Sequence, residues 1–190
     1  MIMMISAVLD ACVLYSGSLR DFLLRLAEAD LFRAFWSEKI CDEWIYNLLK
    51  RRTDLDRTKV ERTRREMDKH FPSALVRGYE SIIPLLTLSD PNDRHVLAAA
   101  IHANAKYIVT TNLNDFPESA LLPYQVEAKL PDDFVMLVIE DDVLPFISAV
   151  ARHRALLTRP SKSVSEYLET LEKQGLHRTV AFLRKHEVDI

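Results

Sequence analysis

The sequence predicts an α/β fold, and three observations carry that reading. Short β-branched runs alternate with longer amphipathic stretches, the pattern of a parallel sheet whose strands are joined by helices. Tyr107-Ile108-Val109-Thr110 is a continuous apolar run bounded by polar turns, as suits a strand covered on both faces. Acidic residues recur where such strands end, and an open parallel sheet binds ligands beyond its carboxyl edge. The expected architecture is three layers, α/β/α, around a central and mostly parallel sheet, with a small helical extension at the C-terminus.

Residues 1–9 read as the first strand, which places Asp10 at its carboxyl end. Ser18 with Asp21 has the spacing of a capping box, and an amphipathic helix follows through Leu23, Leu24, Leu26 and Leu31. Residues 32–36 read as a short strand. Ser37 then caps a helix carrying Ile40, Glu43, Trp44, Ile45, Leu48 and Leu49, with Glu43 on the border of the apolar stripe. Residues 50–70 are dense in charges of alternating sign and predict an exposed helix anchored by Val60 and Met67. Residues 82–88 read as a strand that feeds Asp90.

The stretch 88–116 is the centre of the reading. Asp93 stands at a helix start, where an N-cap or first-turn acid belongs. Val96, Leu97, Ala100 and Ile101 give that helix one apolar face. The strand at 107–110 comes next, and the chain then turns through Asn112 and Asn114 to Asp115. Residues 126–128 read as an edge strand, followed by helices over 134–140 and 141–157. Thr158-Arg159-Pro160-Ser161-Lys162 breaks the pattern. Beyond it Ser163 and Glu166 form a capping box, Gly175 stops that helix, and a last helix covers 180–186.

Composition narrows the function. The chain has 190 residues and a net charge of −3, which argues against wholesale electrostatic binding of nucleic acid but leaves room for a local basic face. Cys12 and Cys41 are too few for a disulfide framework or a zinc site and suit a reducing cytoplasm, as small core side chains. Gly17, Gly78 and Gly175 are too scattered to cradle a phosphate, so P-loop and dinucleotide readings fall away. The apolar N-terminal run is too short to span a membrane and has no basic leader or cleavage site.

Four acids remain: Asp10, Glu43, Asp93 and Asp115. Carboxylates gathered without lysine or arginine partners repel, and a fold keeps them together for a cation. Mg²⁺ and Mn²⁺ take a few carboxylates and keep several waters, leaving room for phosphate oxygens. Each acid also has a plainer reading: Asp10 as a strand-end acceptor, Glu43 as a solvated helix residue, Asp93 as a cap, Asp115 as part of an Asx-turn. Asp90 reads as structural. His95 and His102, seven residues apart, read as packing or surface residues. The cluster Lys50, Arg51, Arg52, Arg57, Lys59, Arg62, Arg64 and Arg65 is either a solvated helix face or a contact for RNA backbone.

The segments V-L-D-A-C-V-L-Y around Asp10, S-E-K-I-C-D-E-W around Glu43, D-P-N-D-R-H-V-L-A-A-A-I around Asp93 and I-V-T-T-N-L-N-D-F around Asp115 resemble the PIN-domain nucleases. In particular they resemble the VapC-type toxins of type II toxin–antitoxin pairs. The resemblance covers about the first three quarters of the chain. It implies a PIN-like nuclease domain over residues 1–140 and a C-terminal helical segment over 141–190, similar to an extra segment of one subfamily. It implies a Mg²⁺- or Mn²⁺-dependent endoribonuclease that cleaves RNA by a metal-activated water, with Asp10, Glu43, Asp93 and Asp115 as ligands and catalytic acids. Asp90 and Asn112 also match family positions, as ligands or as groups supporting them. Apart from the resemblance, the hydroxyls of Thr110 and Thr111, after a buried strand, either orient substrate or a ligand or reflect strand propensity alone. A cognate antitoxin, an RNA substrate, a homodimer and a cytoplasmic setting are implied too. A haloacid-dehalogenase-type phosphatase would need a second Asp where Cys12 stands. A non-catalytic binding module of the same fold would have no use for four repelling acids.

Overall fold

The computed structural model describes residues 4–190; of the predicted first strand, residues 1–3 lie outside the described residues. The elements in order are β1 (Ser6–Leu9), α1 (Ala11–Tyr15), α2 (Gly17–Glu28), β2 (Arg33–Ser37), α3 (Glu38–Arg51), α4 (Arg57–His70) and β3 (Leu75–Val76). They continue with α5 (Arg94–His102), β4 (Tyr107–Val109), α6 (Glu118–Leu121), β5 (Glu127–Lys129), α7 (Pro131–Asp141), α8 (Val143–Leu156), α9 (Val164–Glu172) and α10 (His177–Leu183). Short 3₁₀ turns at Glu80–Leu85, Pro91–Asp93 and Leu113–Asp115 link them. No helix among the described residues is long and apolar enough to cross a membrane.

The five strands form one sheet in the order β3-β2-β1-β4-β5. β1 pairs with β4, β2 with β3 and β4 with β5, all parallel. This is the α/β fold expected from the sequence. The strand order reverses direction between β1 and β4, and the crevice at such a switch point is where an open parallel sheet accepts ligands. Asp10 follows β1 and Thr110 follows β4, so both stand at that point.

The chain divides into two compact units. Among the described residues, one comprises Ser6–Tyr15 and Ala34–Lys129 and holds the strands; the other comprises residues 4–5, Ser16–Arg33 and Leu130–Ile190. In the strand-bearing unit, α5 packs on β1 and β4, and α1 lies along α3. Val8, Leu9, Ile108, Val109, Val96 and Ala100 have no exposed surface. Val60 and Met67 are buried on α4, as the charge pattern predicts. In the helical unit, α2 packs on α8 and α9, while α7 and α9 pack on α10. Phe32 and Phe134 meet edge to face at 4.9 Å there.

Two expectations are corrected. Residues 82–88 are not a strand. Glu80–Leu85 is a 3₁₀ turn containing Pro84, which has no N–H to give to a ladder, and the strand beside β2 is Leu75–Val76. Gly78, at φ +80°, turns the chain between the two, a conformation open to glycine at little cost. The cap of α2 is Ser16, whose hydroxyl accepts from the Leu19 N–H, and not Ser18. Asp21 instead binds His153 Nε2 at 2.9 Å, and His153 Nδ1 meets the Tyr167 hydroxyl at 2.9 Å. That contact with His153 holds the Asp21 carboxyl below the usual range. The other caps stand as read: Ser37 accepts from Ile40, and Ser163 and Glu166 form a reciprocal box.

One side chain closes the helical unit. The Asp132 carboxylate accepts from the backbone N–H groups of Arg178 (2.7 Å) and Thr179 (2.9 Å) and from the Thr179 hydroxyl (2.7 Å). It thus serves the first turn of α10 from α7, where backbone donors have no helical partner. Asp132→Ala should lower stability by about 2 kcal/mol, read as a lower urea midpoint at unchanged slope. An unchanged midpoint would show that water replaces the carboxylate without loss.

Candidate functional site

Asp10 sits one residue past β1, and its own N–H extends the ladder to the Val109 carbonyl at 3.0 Å. Its carbonyl then starts α1 by accepting from Val13 and Leu14. The backbone is therefore fixed on both sides of the side chain. Asp10 Oδ1 accepts from the Ala11 N–H at 2.6 Å. Oδ2 accepts from the Thr110 hydroxyl at 2.8 Å and the Cys12 thiol at 3.1 Å. Thr110 is fully buried, so its hydroxyl needs these partners. Its oxygen also accepts from the Asn112 N–H at 3.1 Å, and the Asn112 side-chain amide donates to Asp115. A continuous chain of hydrogen bonds thus runs from Asp10 through Thr110 and Asn112 to Asp115.

Asp93 is the last residue before α5, and its side chain makes no capping hydrogen bond. The capping role expected of it falls to Asp90, whose carboxylate accepts from the Asn92 N–H at 2.8 Å and closes the 3₁₀ turn. Among the described residues Asp93 has no cationic partner. Partial burial, followed by the charges of Asp115, Asp10, Asp90 and Glu43, pushes its carboxyl up to about 7. Those charges place all four candidate acids, with Asp90, in one electrostatic neighbourhood.

Glu43 lies on α3 between buried Ile40 and Trp44, with 35% of its side chain exposed. Its Oε1 is 3.0 Å from Nε2 of His95, which is 1% exposed. Neither ring nitrogen of His95 completes a hydrogen bond of good geometry, so this is a contact of proximity, charged only when the ring is protonated. Cys12 is likewise more than a core side chain, because burial and the Asp10 charge raise its thiol and keep it a donor. Cys41 is the fully buried one. The histidine spacing hid the first contact. The offset of Cys12 on the turn after Asp10 was the available signal for the second.

The donor set fits a hard cation: carboxylate oxygens, gathered without a lysine or arginine, at the carboxyl edge of a parallel sheet. Among the described residues no three His, Cys, Asp or Glu side chains converge closely enough to hold an ion by themselves. An ion held at this edge would keep several waters between itself and the protein, as Mg²⁺ does.

The raised Asp93 carboxyl has a consequence for stability. Its proton is held more tightly in the folded chain than in the unfolded one. The stabilisation this brings is complete below the ordinary carboxylate range and is lost as pH rises through about 7. In chelator, Asp93→Asn should therefore stabilise the protein at pH 8, by on the order of 2 kcal/mol after discounting for solvent, and by progressively less toward pH 4. Urea titrations across that range check it. A loss of stability at every pH would mean that the carboxylate has a structural partner.

Comparison with known proteins agrees with this geometry. Residues 6–114 match the PIN domain family, and residues 131–185 match the VapC50 C-terminal domain. Over 64 residues the chain is 48% identical to a Mycobacterium tuberculosis (strain ATCC 25618 / H37Rv) protein named "Putative ribonuclease VapC50". That alignment covers 34% of this chain and 37% of the relative. No solved structure matches the chain. The parallel sheet, the acids at its carboxyl edge and the match over residues 6–114 make this chain a member of the PIN-domain family, followed by a VapC50-type C-terminal segment.

Proposed function

We propose that the protein is a divalent-metal-dependent endoribonuclease and the toxin of a toxin–antitoxin pair. It takes RNA as substrate, a cognate antitoxin as protein partner, and Mg²⁺ or Mn²⁺ as cofactor, and it works in the cytoplasm as a homodimer. The observation that supports this most is Asp93, an acid that burial first, and then the charges of four other carboxylates, push up to about 7, with no cation beside it among the described residues. Uncompensated repulsion of that kind is a cost to the fold, and a cation removes it. The name of the VapC50 relative points the same way.

In this reading Asp10, Glu43, Asp93 and Asp115 hold the ion, directly or through water, and Asp90, Asn112 and Thr110 support them. A divalent ion bound there lowers the pKa of a coordinated water and offsets charge on the phosphodiester. The chain's own residues supply position. Thr110 and Cys12 fix one oxygen of Asp10, and the Ala11 N–H fixes the other. Asn112 orients Asp115. Because Asp90 does the capping, Asp93 is free to face the ion. His95 packs against Glu43 and is too deeply buried to act as a base on RNA. The chemistry belongs to the PIN-like domain, residues 1–140, and the helical segment 141–190 carries none.

Two outcomes follow for the purified protein. Water attack leaves a 5′-phosphate and a 3′-hydroxyl, so end-group analysis should find no 2′,3′-cyclic phosphate. Asp10→Asn keeps the acceptor for Ala11 but loses charge and turns an amide N–H₂ toward Thr110 and Cys12; it should cost several kcal/mol of transition-state stabilisation, ~10³-fold in rate, with circular dichroism checking that the fold is intact. Chelator should silence the wild type, and added Mg²⁺ or Mn²⁺ should restore it. Cyclic phosphate ends, or full activity in excess chelator, would overturn the reading.

A further inference from the structure

The exposed face of α3 continues outward from the candidate site. Glu43, Tyr46, Asn47 and Lys50 follow one another at helical i, i+3, i+4 and i+7 spacing, so they share one face. Ile40, Cys41, Trp44 and Ile45 are the buried residues of the same helix. From Glu43 to Lys50 the helix rises about 10 Å at ~1.5 Å per residue. That length matches about three nucleotides at a stacked spacing of ~3.4 Å. Tyr46 is 61% exposed, and Lys50 Nζ lies over its ring at 5.7 Å.

A second pair stands beside the first. α1 begins directly after Asp10, packs along α3 and ends at Tyr15, and the Arg51 guanidinium lies over the Tyr15 ring at 5.8 Å. α1 thus follows Asp10 and ends in a ring with a cation above it, and α3 carries, one turn after Glu43, a second ring with a cation above it. Three arginines nearby are already engaged: Arg52 with Asp54, Arg57 with Glu61, and Arg64 with Glu38, Asp42 and Asp68. Among the described residues Lys50 and Arg51 form no ion pair with an acid. Cations in the last turn of a helix complement its dipole, but that role needs no aromatic ring beneath each of them, and Tyr46 is exposed. Alternating aromatic faces and unneutralised cations are the chemistry of single-stranded nucleic acid, with bases on the rings and phosphates on the charges.

We propose that Tyr46, Lys50, Arg51 and Tyr15 form a track for single-stranded RNA flanking the bond to be cut, with a base stacked on Tyr46 and phosphates held by Lys50 and Arg51. The proposal rests on the ribonuclease reading and names the surface that grips its substrate. It is tested on the full chain carrying Asp10→Asn, in Mg²⁺, with an unstructured fluorescein-labelled RNA of about 12 nucleotides. Lys50→Gln with Arg51→Gln should weaken binding about tenfold or more and flatten the plot of log affinity against log salt by about 1.4, from ~0.7 per lost phosphate contact. Arg57→Gln, which removes a cation already paired with Glu61, should leave that slope unchanged. RNA containing 2-aminopurine should be quenched on binding; Tyr46→Leu should abolish the quench and Tyr46→Phe keep it. Circular dichroism confirms that each variant is folded. If the wild type cleaves RNA but folded track variants bind as tightly and with the same salt slope, the track is wrong and the ribonuclease reading stands. The same holds if these substitutions weaken only binding of a protein partner. A wild type that neither binds nor cleaves RNA overturns both.

Discussion

The site depends on one hydrogen bond between neighbouring strands, from the Thr110 hydroxyl to Asp10 Oδ2 at 2.8 Å. It forms because β1 and β4 are parallel and in register, Leu9 opposite Val109, so the next residue of each strand emerges side by side at the same edge. A slip of one residue would turn one of the two to the other face of the sheet. The bond then propagates. Thr110 accepts from Asn112, which steers Asp115, while Cys12 braces Asp10 from the first turn of α1. Two of the four acids are thereby aimed by donors that carry no positive charge. That matters physically, because a lysine or arginine in the same role would neutralise the acids and leave no reason for a cation to bind.

The cost of that arrangement falls on Asp93. Like the others it stands among like charges, but among the described residues its side chain makes no capping hydrogen bond. Asp90, three residues earlier, is bound to the Asn92 N–H and closes the turn that leads into α5. The pair divides two tasks that a single acid could not perform at once, since a carboxylate engaged in capping is held toward its own backbone. A destabilised group at a sheet's carboxyl edge is how a functional site differs from the core beneath it, where every large side chain is spent on packing.

Much of this was legible in the sequence, and what was not has a common cause. β1, β4, the Ser37 cap and the Ser163–Glu166 box follow from periodicity and from residues within a few positions of one another. Asp10, Glu43, Asp93 and Asp115 could be picked out because an acid at a strand end or beside an apolar stripe is locally out of place. The misreadings involve competition that a window cannot resolve. The run 82–88 has strand composition, but Pro84 forbids a ladder and Leu75–Val76 takes the place beside β2. Ser18 and Asp21 have capping-box spacing, yet Asp21 finds His153, 132 residues away. His95 against Glu43 spans two helices with unrelated periodicity, and nothing local announces it.

The contrast between the two units gives a further criterion for where function lies. In the helical unit several charged and polar groups find one another, although Arg154 Nε is buried there without a partner among the described residues: Asp132 satisfies the start of α10, and Asp21, His153 and Tyr167 form a closed chain between α2, α8 and α9. His153 is 4% exposed and bonded at both ring nitrogens, whereas His95, at 1%, is bonded at neither. A buried polar group that is fully paired lowers the energy of the fold and has nothing left to offer a ligand. One that is left short, beside acids that repel, marks a place where the chain has accepted instability. By that measure the contacts of Asp132 and His153 stabilise the helical unit, whereas the acids at the carboxyl edge of β1 and β4 are left short, which is where we place the candidate site.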